Sequence, residues 1–171
     1  KMGRDIFVRI LFGARISLAV GCLAAVINLI VGTIYGGIAG YVGGKVDMIM
    51  MRVVDIIYSV PSMLYIVLIM LIFGASVVSI MLGISITCWI DMARIVRQQV
   101  KSLKEQEFTM AAFVLGAGSS RILLKHLLIN TMGQIIVTVT LMVPQAIFTE
   151  AWLSFLGVGI SAPMASWGTL A

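Results

Sequence analysis

Long stretches without any charged residue dominate the chain. No residue between Arg15 and Lys45 is charged, and the same holds from Ile56 to Ile90. A helix needs about 20 apolar residues to cross a bilayer core, so the first stretch predicts one span and the second predicts two, divided at residues 74–76. A fourth apolar stretch follows the charged middle of the chain. The predicted spans are 16–40, 53–73, 77–92 and 127–149.

Prolines and short polar stretches divide these spans. Pro61 either kinks the second span or marks its first turn, and Pro144 is expected to interrupt the fourth. Residues 41–52 carry charges and two glycines and are interpreted as a short polar connection. The stretch 154–171 is rich in Gly, Ser and Pro and has no helical period, which predicts a surface segment rather than a span.

Small residues recur at helical spacing along the first span and predict a face on which another helix approaches closely. The asparagine on this face either forms a hydrogen bond across the interface or lines a pathway. The predicted packing residues are Gly21, Asn28, Gly32, Gly36 and Gly40.

The most charged part of the chain, residues 93–126, is predicted to lie outside the bilayer as a helix, a turn and a second helix. Four basic residues at spacings of three and four share the first helix face, where they contact either lipid headgroups or a partner. They are Arg94, Arg97, Lys101 and Lys104.

A short apolar helix follows this basic face. After Glu107, an apolar stripe recurs at helical spacing: Phe108, Ala111, Ala112 and Leu115. Gly116 and Gly118 are predicted to end the helix, and Ser119 or Ser120 to cap the next one. The stripe either docks in a groove of a partner protein or lies on the lipid surface.

The fourth span has one polar face, which either joins helices by hydrogen bonds or lines a solute pathway. Its members are Gln134, Thr138, Gln145 and Thr149. Glu150, at one end of this span, is the only ionisable candidate for an ion-coupled carrier or channel, the competing class of transporter.

Composition and charge agree with a membrane protein. Hydrophobic residues make up 61% of the 171 residues and charged ones 11%, which excludes a soluble domain and a disordered chain. Eight of the 12 Lys and Arg residues lie in 41–52 and 93–126, loops that share one side of a four-span chain. The positive-inside rule therefore places 93–126 in the cytoplasm and 154–171 outside. Basic residues in cytoplasmic loops also explain the net charge of +5, so this charge does not indicate nucleic-acid binding.

The chain has no pattern that would support catalysis or a metal site. His126 is its only histidine, and Cys22 and Cys88 lie in apolar runs as packing residues. Residues 39–46, AGYVGGKV, lack the first Gly and the final Ser/Thr of a nucleotide-binding loop. We expect no enzyme activity and no cofactor or metal bound by this chain.

Three sequence pieces resemble one family. The first is Gly3-Arg4-Asp5 followed by FGARISLAVG (12–21). The second is EFTMAAxxxGA (107–117) with Arg121-Ile and KHLLxN (125–130). The third is TEAxLSFLGxG (149–159) ending in PxxSWG (163–168). Together with residues 40–63, they are similar to the permease subunit of ATP-binding-cassette importers, in the dipeptide/oligopeptide/nickel branch.

The resemblance implies an all-α transmembrane bundle of the type I importer permease kind, a multi-pass protein of the bacterial or archaeal plasma membrane. It implies about six spans in the full subunit, of which four are predicted here, so we expect a single permease domain truncated at both ends. It also implies that 105–126 holds the cytoplasmic coupling helix. The coupling residues would be Glu107, Phe108, Ala111, Ala112, Leu115, Gly116 and Arg121.

The implied partners are two cytoplasmic ATPase subunits that bind ATP and Mg²⁺, a second homologous permease, an extracytoplasmic substrate-binding protein and membrane lipid. The implied cargo is a di- or oligopeptide, with nickel or another small solute as the alternative. Two residues depart from the family's loop motif: Met110 stands where a Glu is expected, and Ile129 where a Pro is common.

Overall fold

The computed structural model describes residues 6–156 and 166–167 of the chain, and these residues form helices and turns with no strand. The predicted residues Gly3–Asp5 and most of the predicted surface segment 154–171 lie outside the described residues. The all-α class is confirmed for the part that is described.

The first predicted span lies within a single long helix. Helix α1 (Ile6–Ile27) continues through a π-helical segment (Asn28–Gly32) into α2 (Thr33–Val42). The continuous helix Phe7–Val42 has 36 residues and is long and apolar enough to cross a membrane. The predicted span 16–40 therefore falls inside a helix that extends further at both ends.

The second predicted span is divided between two helices, α3 (Gly44–Tyr58) and α4 (Ser62–Phe73). Pro61 directly precedes α4, so it marks the start of a helix, and residues 53–73 are not one continuous helix. The polar connection expected at 41–52 is also wrong, because α2 and α3 are separated by Gly43 alone. Positive φ angles at Gly43 (71°) and Gly44 (55°) allow the chain to turn there.

The third predicted span continues beyond its expected end at residue 92. Helices α5 (Val77–Thr87) and α6 (Ile90–Lys104) meet at a turn at 88–89, and together they make the 28-residue candidate span Val77–Lys104. The helix continues through its basic residues, since Arg and Lys are good helix formers.

Three helical pieces follow the short helix α7 (Glu107–Val114). They are α8 (Ser119–Arg121), a π-helical segment (Ile122–Leu127) and α9 (Leu128–Phe155), which together form the 37-residue candidate span Ser119–Phe155. Pro144 lies inside α9 and does not interrupt it, as membrane helices tolerate proline where freed backbone groups find other partners. The expected serine cap is also wrong: Gly118 precedes α8, and no side-chain cap bond forms.

The described residues contain three helices long and apolar enough to span a membrane, or four if the broken pair α3 and α4 counts as one span. They divide into two compact units. The first unit comprises 6–26, 60–87, 140–156 and 166–167, and the second comprises 27–59 and 88–139.

In the first unit, helices meet where small residues allow it. A Cβ on Gly83 would lie 2.7 Å from the Ile66 Cα, so α5 and α4 touch at that point. Gly21 of α1 faces Val143 and Ile147 of α9, at 3.1 and 3.2 Å from a Cβ placed on it. These contacts lie below ordinary van der Waals distance, so larger residues do not fit there without movement.

The second unit is built around α6. Its buried core cluster consists of Met92, Val96, Val100, Ala112, Ile122, Leu127 and Ile135. The glycines of the first long helix pack against α6: a Cβ on Gly32 would lie 2.5 Å from the Met92 Cβ, and one on Gly40 would lie 2.6 Å from the Arg97 carbonyl oxygen. Gly36 faces the Ala93 carbonyl oxygen in the same way.

Candidate functional site

The segment that contains α7 is tied to the end of α6 by a buried threonine. Thr109 is 4% exposed, and its hydroxyl donates to the Leu103 carbonyl at 2.8 Å. The carbonyl of Gln106, just before α7, accepts the amide N–H groups of Thr109 and Met110 at 3.0 and 3.2 Å. The threonine bond fixes the start of α7 against α6, and the Gln106 bonds close the first turn of α7.

The other end of α7 is closed at Gly116, which has a φ of 80°. Its N–H donates to the Phe113 carbonyl at 3.0 Å, and the Ala117 N–H donates to the Ala112 carbonyl at 3.1 Å. This is a Schellman ending, in which the residue with positive φ is usually glycine. The prediction that Gly116 ends the helix is confirmed.

Only part of the predicted docking stripe points outward. Phe108 is 41% and Leu115 86% exposed, and Ala111 is exposed, but Ala112 is 8% exposed and belongs to the core of the second unit. Ala112 therefore cannot form part of an outward face. Because α7 is apolar on nearly every side, helical spacing alone could not decide which stripe lies inward.

Three apolar side chains missed by the sequence analysis complete this surface. Met110, Phe113 and Val114 are 61%, 71% and 83% exposed. Glu107 and Arg121 flank the patch, are exposed, and form no ion pair within the described part of the chain. Contiguous apolar surface with charges at its border is typical of an interaction site. We call the following set the α7 surface: Phe108, Met110, Ala111, Phe113, Val114 and Leu115.

The basic face of α6 has partners within the second unit. Asp47 of α3 receives a bidentate pair of hydrogen bonds from Arg97 and a further one from Lys101 at 3.2 Å. Arg94 pairs with Asp55 at 2.9 Å, and the Lys104 ammonium donates to the Tyr41 carbonyl at 2.7 Å. Only lipid headgroups and partner proteins were predicted as contacts of these residues. Asp47 was not considered because 41–52 was interpreted as a connection, and Asp55 was not considered because it fell in the predicted span 53–73.

The predicted packing face is not continuous. Gly32, Gly36 and Gly40 pack against α6 in the second unit, whereas Gly21 packs against α9 in the first. The π-helical segment between them adds a residue to one turn, which rotates the later positions by about 100°. Asn28 is buried, but its carbonyl oxygen has no hydrogen-bond partner among the described residues, so the predicted bond across the interface does not form through that atom.

The polar face of α9 forms no hydrogen bond to another helix in the described chain. The Thr138 hydroxyl donates to the Gln134 carbonyl at 2.8 Å, and the Thr149 hydroxyl donates to the Gln145 carbonyl at 2.9 Å. Gln134 and Gln145 are exposed. Among the described residues, no three His, Cys, Asp or Glu side chains come together as a metal site requires.

The long apolar helices define an integral membrane protein. Residues 32–170 match the family described as the binding-protein-dependent transport system inner membrane component, and the chain belongs to this family. This confirms the family and the membrane localisation that the sequence resemblance implied.

Three relatives show how widely the similarity extends. The oligopeptide transport system permease protein OppC of Bacillus subtilis (strain 168) is 54% identical over 99% of this chain and 56% of its own length. The dipeptide transport system permease protein DppC of the same organism is 51% identical over 100% of this chain and 53% of its length. OppC of Escherichia coli (strain K12) is 46% identical over 98% of this chain and 56% of its own length. The chain thus spans about half the length of the curated relatives it matches.

Proposed function

We propose that this chain belongs to a translocation subunit in an ATP-driven importer of di- or oligopeptides. The family and the names of the relatives support this reading. Nickel or another small solute is the alternative cargo, because selection would rest largely with the binding protein. ATP and Mg²⁺ would be bound by two partner ATPases, and a second permease would complete the pathway.

The observation that carries the proposal is the α7 surface. It is a rigid apolar helix closed at both ends by hydrogen bonds and packed on α6 through Thr109 and Ala112. Leu115 and Val114 are more than four-fifths exposed. Such a helix can transmit force, since a partner that moves it must also move the α6 core to which it is fixed.

The first test separates docking from folding. Phe113→Asp and Leu115→Asp put a charge on the α7 surface, where burial in an apolar groove costs several kcal/mol. We expect both variants to insert normally in the full-length permease, and to lose ATPase retention and labelled-peptide uptake by about tenfold or more. The measurements are pull-down of the ATPases and uptake at matched permease levels.

Ser120→Asp is the matched control, because it adds the same charge at an exposed position in α8, outside the apolar patch. It should retain the ATPases and near-normal uptake. Normal ATPase retention in both α7 variants would contradict the coupling assignment. Ala112→Asp is unsuitable, since a charge in that buried position would disturb the core itself.

The second test concerns orientation. Residues 93–126 are proposed to face the cytoplasm, so a cysteine at exposed Ser102 should react with an impermeant thiol reagent only after the cells are permeabilised. A cysteine at exposed Ala75, between α4 and α5, should react in intact cells. Cys22 and Cys88 are replaced beforehand. Labelling of Ser102→Cys from outside would overturn the orientation.

A further inference from the structure

Glu150 is a completely buried carboxylate in the first unit, and it has no ion pair among the described residues. Three serine hydroxyls donate to it instead. Oε1 accepts from Ser154 at 2.9 Å and from Ser166 at 2.6 Å, and Oε2 accepts from Ser17 at 3.2 Å. A buried carboxylate is costly unless donors surround it, so this arrangement indicates a built polar cluster.

The cluster joins parts of the chain that are far apart in sequence. Ser17 lies in α1, Glu150 and Ser154 lie in α9, and Ser166 lies sixteen residues beyond Glu150. Ser17 also accepts the Trp167 amide N–H at 3.2 Å, and the Trp167 indole N–H donates to the Ile10 carbonyl at 3.1 Å. Both Ser17 and Ser166 are 0% exposed.

These contacts connect two of the sequence pieces that carried the family resemblance. Ser17 belongs to the first piece, and Glu150, Ser154 and Ser166-Trp167 belong to the third. From the sequence, Glu150 was only a candidate for ion coupling. Glu150 instead accepts hydrogen bonds from three serine hydroxyls, and two of them, Ser17 and Ser166, belong to other parts of the chain.

We propose that Glu150 is a positioning residue that anchors Ser166 and Trp167 to α1 and α9, and that transport depends on this anchor. The dependence rests on the proposed function, in which residues 154–171 lie on the side where substrate is delivered. The Glu150 carboxyl oxygens accept hydrogen bonds from all three serine hydroxyls, and the Ser17 hydroxyl oxygen in turn accepts the backbone N–H of Trp167. Loss of the carboxylate frees Ser166 and Trp167 while α1 and α9 remain.

Amide hydrogen exchange in the purified full-length transporter tests the anchor directly. Glu150→Ala, and the milder Ser166→Ala, should each accelerate exchange of peptides that contain Trp167 by about threefold to tenfold, the range expected for one or more lost hydrogen bonds. Ser154→Ala is the matched control. It removes a bond to the same carboxylate oxygen, but Ser154 lies on the helix of Glu150 and anchors no other segment. Exchange in this variant should stay near the wild-type rate.

Transport kinetics test the functional part of the proposal. In Glu150→Ala and Ser166→Ala, we expect a severalfold rise in the concentration of loaded binding protein that half-saturates the stimulated ATPase. Basal ATP hydrolysis should stay unchanged. Unchanged exchange in Glu150→Ala and Ser166→Ala would overturn the anchor. Faster exchange with an unchanged half-saturating concentration would overturn its role in transport. Neither result depends on the α7 variants, which test the importer assignment separately.

Discussion

Replacement of Gly36 by leucine should strongly destabilise the second unit. A Cβ at this position would collide with the Ala93 carbonyl of α6. Movement of α6 away from Gly36 would also open its close contacts with Gly32 and Gly40. Overpacking in a well-packed core costs about 1–3 kcal/mol, and more where backbone must move. We expect the free energy of unfolding to fall by about 3 kcal/mol or more, measured on the full-length permease in mild detergent.

Gly37, next to Gly36, supplies a control for which the opposite effect on stability is expected. A Cβ on Gly37 would lie 3.5 Å from the nearest side-chain atom, of Leu128, which is an ordinary contact. Alanine is preferred to glycine in a helix by about 1 kcal/mol, so Gly37→Ala should be neutral or stabilising. Gly36→Ala should destabilise. Equal stability of the two alanine variants would contradict close packing at Gly36.

Three of the four predicted spans lie within long apolar helices, whereas 53–73 is divided between α3 and α4. Absence of charge indicates such helices because a bilayer excludes unpaired charge and exposed backbone groups. The glycines at 32, 36 and 40 also contact a neighbouring helix as predicted. Both features depend on local sequence alone. Gly21 was predicted on the same face but packs against α9, whereas the other three glycines pack against α6. The π-helical segment that separates Gly21 from them was not predicted from the residue pattern.

Charged helices were harder to predict. Residues 41–52 were interpreted as a polar connection because they carry three charged side chains and two glycines, yet residues 44–58 form α3. Their acidic groups are satisfied by α6, which only the tertiary structure brings near. The same limit applies to α7. The helix and its glycine ending were predicted, but Ala112, expected on the outward stripe, is buried on the side where Thr109 bonds to α6. Phe113, for which no role was predicted, is exposed instead.

Asp47→Asn is expected to be the most damaging conservative change among the charged residues of the second unit. The Asp47 side chain is 6% exposed and receives Arg97 and Lys101, whose side chains are 30% and 48% exposed. Asparagine keeps the shape but removes the charge that both cations face. Breaking a buried pair costs about 3–5 kcal/mol, and partial exposure of the cations reduces this to about 2–3 kcal/mol.

Asp55→Asn is the matched control in the same helix. Asp55 pairs with Arg94 at 2.9 Å, but its side chain is 56% exposed, so solvent screens the interaction. An exposed pair contributes about 1 kcal/mol or less, and high salt should remove most of that. Urea or thermal unfolding of the full-length permease in mild detergent would compare the two variants directly.

A double replacement distinguishes a lost charge pair from a general disturbance of α3. If the cost of Asp47→Asn comes from cations left without an acceptor, removal of the principal cation by Arg97→Met should recover part of the loss. The double variant should therefore be more stable than the sum of the single changes predicts. Strict additivity, or an Asp47→Asn effect no larger than that of Asp55→Asn, would show that the buried ion pairs do not hold α3 to α6.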